Sequence, residues 1–268
     1  MTWRVVTRRD IAETVRPRSV KLLLALPALV ILGGAYLYPV LGSEPYTTAR
    51  FAGFISGQLP TVVALAGILL GYNAVVGNRE SGAIRLALSL PNSRWDVVWG
   101  AFASRAGLLC GVIAGSLAAG FVLVVYPFGS IAVVRFLGFA VATVTLGALW
   151  VGLGLATSLV VATKRTAFML AFGLFGLFRL AWGPLTRVLE FGLAESGLTG
   201  EEPAAAAALR AVEPGRVFER VIDAFVDPSA SVDNVWYLNE WLALCLFVAW
   251  LVAPLGLAAS RFIRSDLS

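Results

Sequence analysis

ISGQLPTVVALAGILLGYNAVV, residues 55–76, followed by GNRESGAIRLALSLPNSR, residues 77–94, decides how the chain is read. The first part carries no charged residue. It is long enough to cross a hydrocarbon core as a helix, which takes about 20 apolar residues. The second part is polar at its ends and patterned in its middle. At 100° per residue, Ala83, Ile84, Leu86, Ala87, Leu88 and Leu90 share one broad face, with Ser81, Gly82, Arg85 and Ser89 opposite. Pro91 disfavours helical geometry at Leu90 and stops the segment. Ser93-Arg94-Trp95-Asp96 then fits a capping box, with Ser93 as N-cap and Asp96 returning to the backbone. The stretch predicts a short amphipathic helix, a break, and a fresh helix leading into the next span. An interfacial turn with some apolar character is the competing reading of shape alone.

Working outward, the same kind of apolar run recurs along a chain of 268 residues that is 59% hydrophobic and 14% charged. Six spans are expected, at about 20–41, 55–76, 103–126, 136–162, 167–182 and 241–260. The runs are continuous rather than alternating, which predicts an all-α polytopic membrane protein and not a barrel. Residues 1–268 form a single transmembrane domain in this reading. Residues 1–19 are an interfacial helix broken at Pro17, and 183–239 a helical loop between spans five and six. In that loop 203–212 is alanine-rich and expected to be helical. Pro214-Gly215 breaks it, and Val217, Phe218, Val221, Ile222 and Phe225 then fall on one face. Two short helices on or in the outer leaflet are expected, with a solvated helical hairpin as the alternative.

Six spans put both termini on one side. The connectors on that side hold 14 Lys and Arg against 7 on the other, with 5 acidic residues against 11. The nets are +9 and −4, together the chain's +5. Cytoplasmic loops carry the excess of Lys and Arg, so both termini, the 77–94 stretch and the Lys164 turn are expected in the cytoplasm of a plasma-membrane protein. The basic charge flanks spans rather than lining a face, so nucleic acid is not an expected partner. Cys110 and Cys245 each lie inside an apolar run and read as small buried hydrophobes.

Small residues recur four apart: Gly67 and Gly71; Gly107, Gly111 and Gly115; Ala148, Gly152 and Ala156. Such stripes let helix backbones approach closely, within the chain or between copies.

The chain has no histidine, which removes the usual zinc ligands and histidine acid–base chemistry. The span middles carry no Asp or Glu, which argues against a proton- or sodium-coupled secondary carrier or a channel of that type. Lys21 and Lys164 are the two lysines. They follow Val20 and Thr163, so no GK[ST] phosphate loop is present and this chain does not bind ATP by that route. No catalytic residue, metal site or cofactor is expected here. A patterned helix on a bundle without its own chemistry suggests a partner that supplies the energy.

Glu80-Ser81-Gly82 and then Leu88-Ser89-Leu90-Pro91-Asn92-Ser93-Arg94 resemble the E-x-G-T-L…LLS-x-P-x-x-R signature of ABC transporter permeases of the type-2 exporter class, the NosY-like variant being nearest. Ala83 and Ile84 stand where that signature has Thr-Leu, and Ala87 where it has Leu. The resemblance implies that 79–94 is a coupling helix that docks an ATP-binding cassette ATPase, which binds ATP and magnesium. Glu80, Ser81, Gly82, Arg85, Leu88, Ser89, Leu90, Pro91, Ser93 and Arg94 would form the docking element. It also implies a paired permease, as homodimer or heterodimer, exporting substrate or passing ATP-driven motion to an external partner protein. A carrier or channel acting without an ATPase is the alternative.

Overall fold

The computed structural model describes residues 10–42, 44, 46–80, 93–128, 131–195, 204–227 and 239–264. Residues 10–15 are helical and end in a bend at Arg16 and Pro17. Proline has no N–H to continue a helix and sets its own φ, so the next helix starts immediately after it. That helix, α1, is Arg18–Leu41 and forms the first span.

Helix α2, Thr48–Ser56, is a separate element that the apolar run hid. Thr47 is its N-cap, its hydroxyl accepting from the Arg50 N–H at 3.2 Å. The second span is therefore not one rod from Ile55. It comprises α3, Leu59–Gly71, a turn at 72–75, and α4, Val76–Glu80. The third span is α5, Arg94–Phe128, and the fourth is α6, Val133–Val160. The fifth begins as α7, Lys164–Gly176, passes through a π-helical turn at Leu177–Ala181, and continues as α8, Trp182–Glu195. It runs well beyond the Trp182 limit expected from hydropathy. Two short helices follow, α9 at Ala204–Ala211 and α10 at Pro214–Phe225. The last span is α11, Glu240–Arg264. Six helices among the described residues are long and apolar enough to cross a membrane, and no strand occurs among them.

Helix α6 is the hub. It packs most extensively on α3, and also on α11 and α5, while α1 lies against α5. In their apolar windows, spans two and four are 67% and 61% buried, against 17% for span five. Lipid tails give two apolar helices little reason to associate, so backbone approach must provide the contact. Gly67, Gly71 and Gly154 do so. A Cβ on Gly154 would lie 2.5 Å from the Ile68 carbonyl oxygen, and one on Gly71 2.5 Å from that of Val151. A Cβ on Gly67 would meet the Trp150 Cβ at 2.7 Å.

The stripes thus divide. Gly152, with Ala148 and Ala156 on the same helix, packs toward neighbouring spans; its nearest neighbours are Phe102, Leu251 and Leu255. A Cβ added at Gly107, Gly111 or Gly115 would meet nothing within 4 Å among the described residues.

The ends of the bundle differ in charge. One end, with Arg79, Arg94, Lys164 and Arg264, is the basic end. The other holds Glu190, Glu213, Glu219 and Asp223 beside Arg179, Arg210, Arg216 and Arg220, and is called the acidic end after the net charge of its connectors. At the acidic end α10 is amphipathic as expected, but most of its stripe meets protein rather than lipid, while Phe225 at its end is 40% exposed. Val217, Phe218, Val221 and Ile222 are buried in the main core, against α11 and α6. A helical stripe looks the same in sequence whichever apolar surface it covers.

Gly154→Ala is expected to cost about 1–3 kcal/mol, because backbone on the facing helix cannot yield. Gly107→Ala is expected to cost nothing measurable. Thermal unfolding of the two variants in detergent checks this, and equal midpoints would contradict the assigned contact.

Candidate partner-docking site

The break in span two has its cause on a neighbouring span. The N–H groups of Val75 and Val76 leave the helical ladder and both donate to the Ser158 hydroxyl of α6, at 2.9 Å each. Ser158 is fully buried, so in an apolar interior these bonds replace ones that water cannot make. The Gly71–Gly154 approach is what brings Ser158 within reach. Helix α4 is thereby aimed at the basic end, where the chain enters 81–92.

That segment, with Ser81, Gly82, Arg85, Leu88, Ser89, Leu90 and Pro91, and with its expected amphipathic helix and proline break, lies outside the described residues. Its two ends do not. On the incoming side, Arg79 donates to the Val161 carbonyl at 3.1 Å, at the end of α6. Its guanidinium carbon stands 5.3 Å from the centre of the Phe262 ring, and its Nε is buried with no hydrogen-bond partner among the described residues. A cation over a ring face gains about 0.5–2 kcal/mol, depending on desolvation. Glu80 accepts from the Lys164 N–H at 2.6 Å, placing a carboxylate at the N-terminus of α7, where the helix dipole favours it.

On the outgoing side, the expected capping box is present. The Ser93 N–H donates to Asp96 Oδ2 at 3.0 Å, and the Asp96 N–H donates back to the Ser93 hydroxyl at 3.1 Å. Arg94 opens α5 and donates to the Phe262 and Ile263 carbonyls, 3.1 Å each. Those carbonyls belong to the last turn of α11, where helices leave acceptors unfilled. The Arg94 guanidinium also lies 6.0 Å from the Phe262 ring centre. Beneath these contacts sits a second apolar cluster, apart from the main core. It joins Ala74, Val75, Val98, Ala101, Leu155, Leu159, Leu255, Ala258, Ala259 and Phe262 from spans two, three, four and six.

The N-terminal helical segment is tied to the same end. Asp10 accepts from the Ser104 hydroxyl and pairs with Arg105, and both residues are buried in α5. A cleft of about 900 Å³ opens between this segment, α1 and α4, lined by Glu13, Leu23, Leu70, Asn73, Glu80 and Lys164 among others.

Of the residues expected to dock a partner, Glu80, Ser93 and Arg94 are thus seen, all at the base of the segment. Sequence reasoning missed Ser158, Phe262 and the Asp10–Arg105 pair. A serine or an arginine inside an apolar run was the available signal, since each must find a partner there.

The acidic end has its own polar knot. Arg179, in the π-helical turn, donates to Glu213 at 2.9 Å and, through Nε and the other terminal nitrogen, to the Thr61 hydroxyl at 3.3 and 3.0 Å. Glu213 is 2% exposed and caps α10, accepting from the Gly215 and Arg216 N–H groups at 3.0 and 2.7 Å. A Cβ on Gly215 would fall 2.0 Å from an Arg179 nitrogen, so a side chain there would push the guanidinium aside. Trp182 and Trp250 donate to the Leu209 and Val212 carbonyls at 3.1 and 2.8 Å, filling the acceptors at the end of α9. Burial pushes the Glu219 carboxyl up from its usual value, offset in part by Arg216 and Arg179. Burial also raises Asp223, which faces Asp227.

Six apolar spans around a packed core define a multi-pass membrane protein. Residues 5–267 match the family model described as ABC-2 family transporter protein, so the chain belongs to that family and is the permease, or membrane, subunit of an ABC transporter. Curated proteins yield no match.

Ser158→Ala strands two buried N–H groups and is expected to cost about 1–3 kcal/mol. The amides of Val75 and Val76 are then expected to exchange hydrogen faster. Unchanged protection at these amides would show that Ser158 does not hold the break. Arg179→Met leaves Glu213 buried and uncompensated, at an expected cost of about 3–5 kcal/mol. Adding Glu213→Gln is expected to recover part of that loss in thermal unfolding, and strict additivity of the two changes would contradict their pairing.

Proposed function

We propose that this chain docks a separate ATP-binding cassette ATPase through its 79–94 segment. ATP and magnesium are bound and hydrolysed in that partner, and no catalytic step belongs to this chain. Glu80, Arg94 and Ser93 set the base of the docking element, and Ser81, Gly82, Arg85, Leu88, Ser89, Leu90 and Pro91 form its body. The permease acts as a pair, in a homodimer or with a second permease chain, in the plasma membrane with both termini in the cytoplasm. It exports a substrate or passes ATP-driven motion outward, as in the NosY-like class that its motif resembles.

One observation carries this reading. The residues that flank 81–92 are fastened to the bundle, Arg79 and Glu80 before it and Arg94 after it. A loop that only joins two spans has no need of such fastening. A loop that must pass a push from a soluble subunit into the spans does, because slack at its base would absorb the motion. Family membership supports the partner's class. The basic charge around the segment supports its cytoplasmic placement.

The test is co-purification of the ATPase from native membranes with the intact chain and with the double variant Arg85→Glu, Leu88→Asp. A polar or charge-reversed residue at a docking centre costs several-fold to over 100-fold in affinity, since about 1.4 kcal/mol is tenfold. Loss of the ATPase with the bundle still folded supports the assignment. Retention of full binding and coupling contradicts it.

A further inference from the structure

The contacts of α11 connect the two ends of the molecule. At the basic end its last turn receives Arg94 on the Phe262 and Ile263 carbonyls, and its Phe262 ring faces the guanidinium groups of both Arg79 and Arg94. Arg79 precedes residues 81–92 and Arg94 follows them, so one side chain of span six meets an arginine on either side of that stretch. Phe262 itself is 2% exposed and belongs to the cluster that also holds the span-two break residues Ala74 and Val75. At the acidic end the same helix carries Trp250, whose indole donates to the Val212 carbonyl between α9 and α10. It also carries Phe247, whose ring centre is 6.4 Å from that of Phe218 in α10. Between these two ends lies Pro254, which omits one bond of the helical ladder.

From this arrangement we propose that span six is the element that carries motion from the docking segment to the α9–α10 helices at the acidic end, with Phe262 as its positioning residue. The inference rests on the docking reading above. Arg79 and Arg94 meet one ring, so a displacement shared by both arginines moves the end of α11. A change confined to one of them does not. Because α11 is packed along α6, joined to α10 by Phe247 and to the α9–α10 link by Trp250, its shift reaches the α9–α10 pair without passing through the span-two break. The moving output is then a surface at the acidic end, which suits action on an external partner as well as transport.

The experiment uses the full chain in complex with the ATPase that co-purifies from its native membrane, in a Cys110→Ala, Cys245→Ala background. Spin labels at positions 216 on α10 and 134 on α6, both with exposed side chains, report the distance between them with and without vanadate-trapped nucleotide. The unmutated background is expected to show a shift on trapping. Phe262→Leu keeps apolar volume but removes the ring face. It is expected to bind the ATPase within about twofold, to retain ATP hydrolysis, and to lose at least half of the shift. Phe262→Tyr keeps the ring and is expected to retain the shift. A full shift in Phe262→Leu overturns the proposal, as does loss of ATPase binding in that variant, which would make Phe262 a docking residue. Binding without any shift in the unmutated background overturns transmission alone. Failure of the unmutated background to bind the ATPase overturns the docking reading with it.

Discussion

Gly71 and Gly154 let the backbones of spans two and four touch, and the rest of the basic end follows from that approach. Only at such a separation can the Ser158 hydroxyl take the two N–H groups that the chain frees at Val75 and Val76. An unfilled N–H at this depth would cost several kcal/mol, so the break exists because its acceptor is fixed beside it. The break then aims α4, and α4 delivers Arg79 and Glu80 to the ends of α6 and α7. Close packing, a satisfied break and a fastened loop base are successive consequences of two missing Cβ atoms.

The two ends of the bundle are closed by different physics. At the basic end, arginine side chains meet main-chain carbonyls at helix C-termini, where acceptors are left over and the dipole is negative. Such contacts leave the backbone intact if they slide or exchange. At the acidic end a buried ion pair, Arg179–Glu213, is combined with a helix cap and with Gly215, against which the Arg179 guanidinium lies. Desolvation consumes much of what a buried pair gains, so this knot contributes register more than net stability. The π-helical turn at Leu177–Ala181 is what presents Arg179 there, and such turns occur disproportionately at sites with a task.

The sequence made the architecture legible wherever the constraint was local. Six apolar runs, the Pro17 bend, the Ser93–Asp96 box and the α9 and α10 helices each depend on a few neighbouring residues, and each is found. The features that escaped are those whose cause lies across the bundle. Nothing near Tyr72 marks a break, because its reason is a serine on another span. Phe262 reads as one more apolar residue before a terminal arginine, because its partners are far away in sequence. The α2 helix is not legible as an element of its own: its last two residues, Ile55 and Ser56, fall in the expected second span, and the rest in the connector before it. The fifth span was cut short at Trp182, because polar residues beyond it look like a loop until Arg210 and Glu190 are seen paired.

The account turns on residues 81–92 meeting a soluble ATPase, so the most direct measurement is site-specific photocrosslinking in native membranes. A photoreactive phenylalanine analogue at position 85 or 88 is predicted to yield a covalent adduct with an ATP-binding cassette ATPase, while the same probe at Tyr126 yields none. Adducts with lipid or with this chain alone, at both docking positions, would contradict the account.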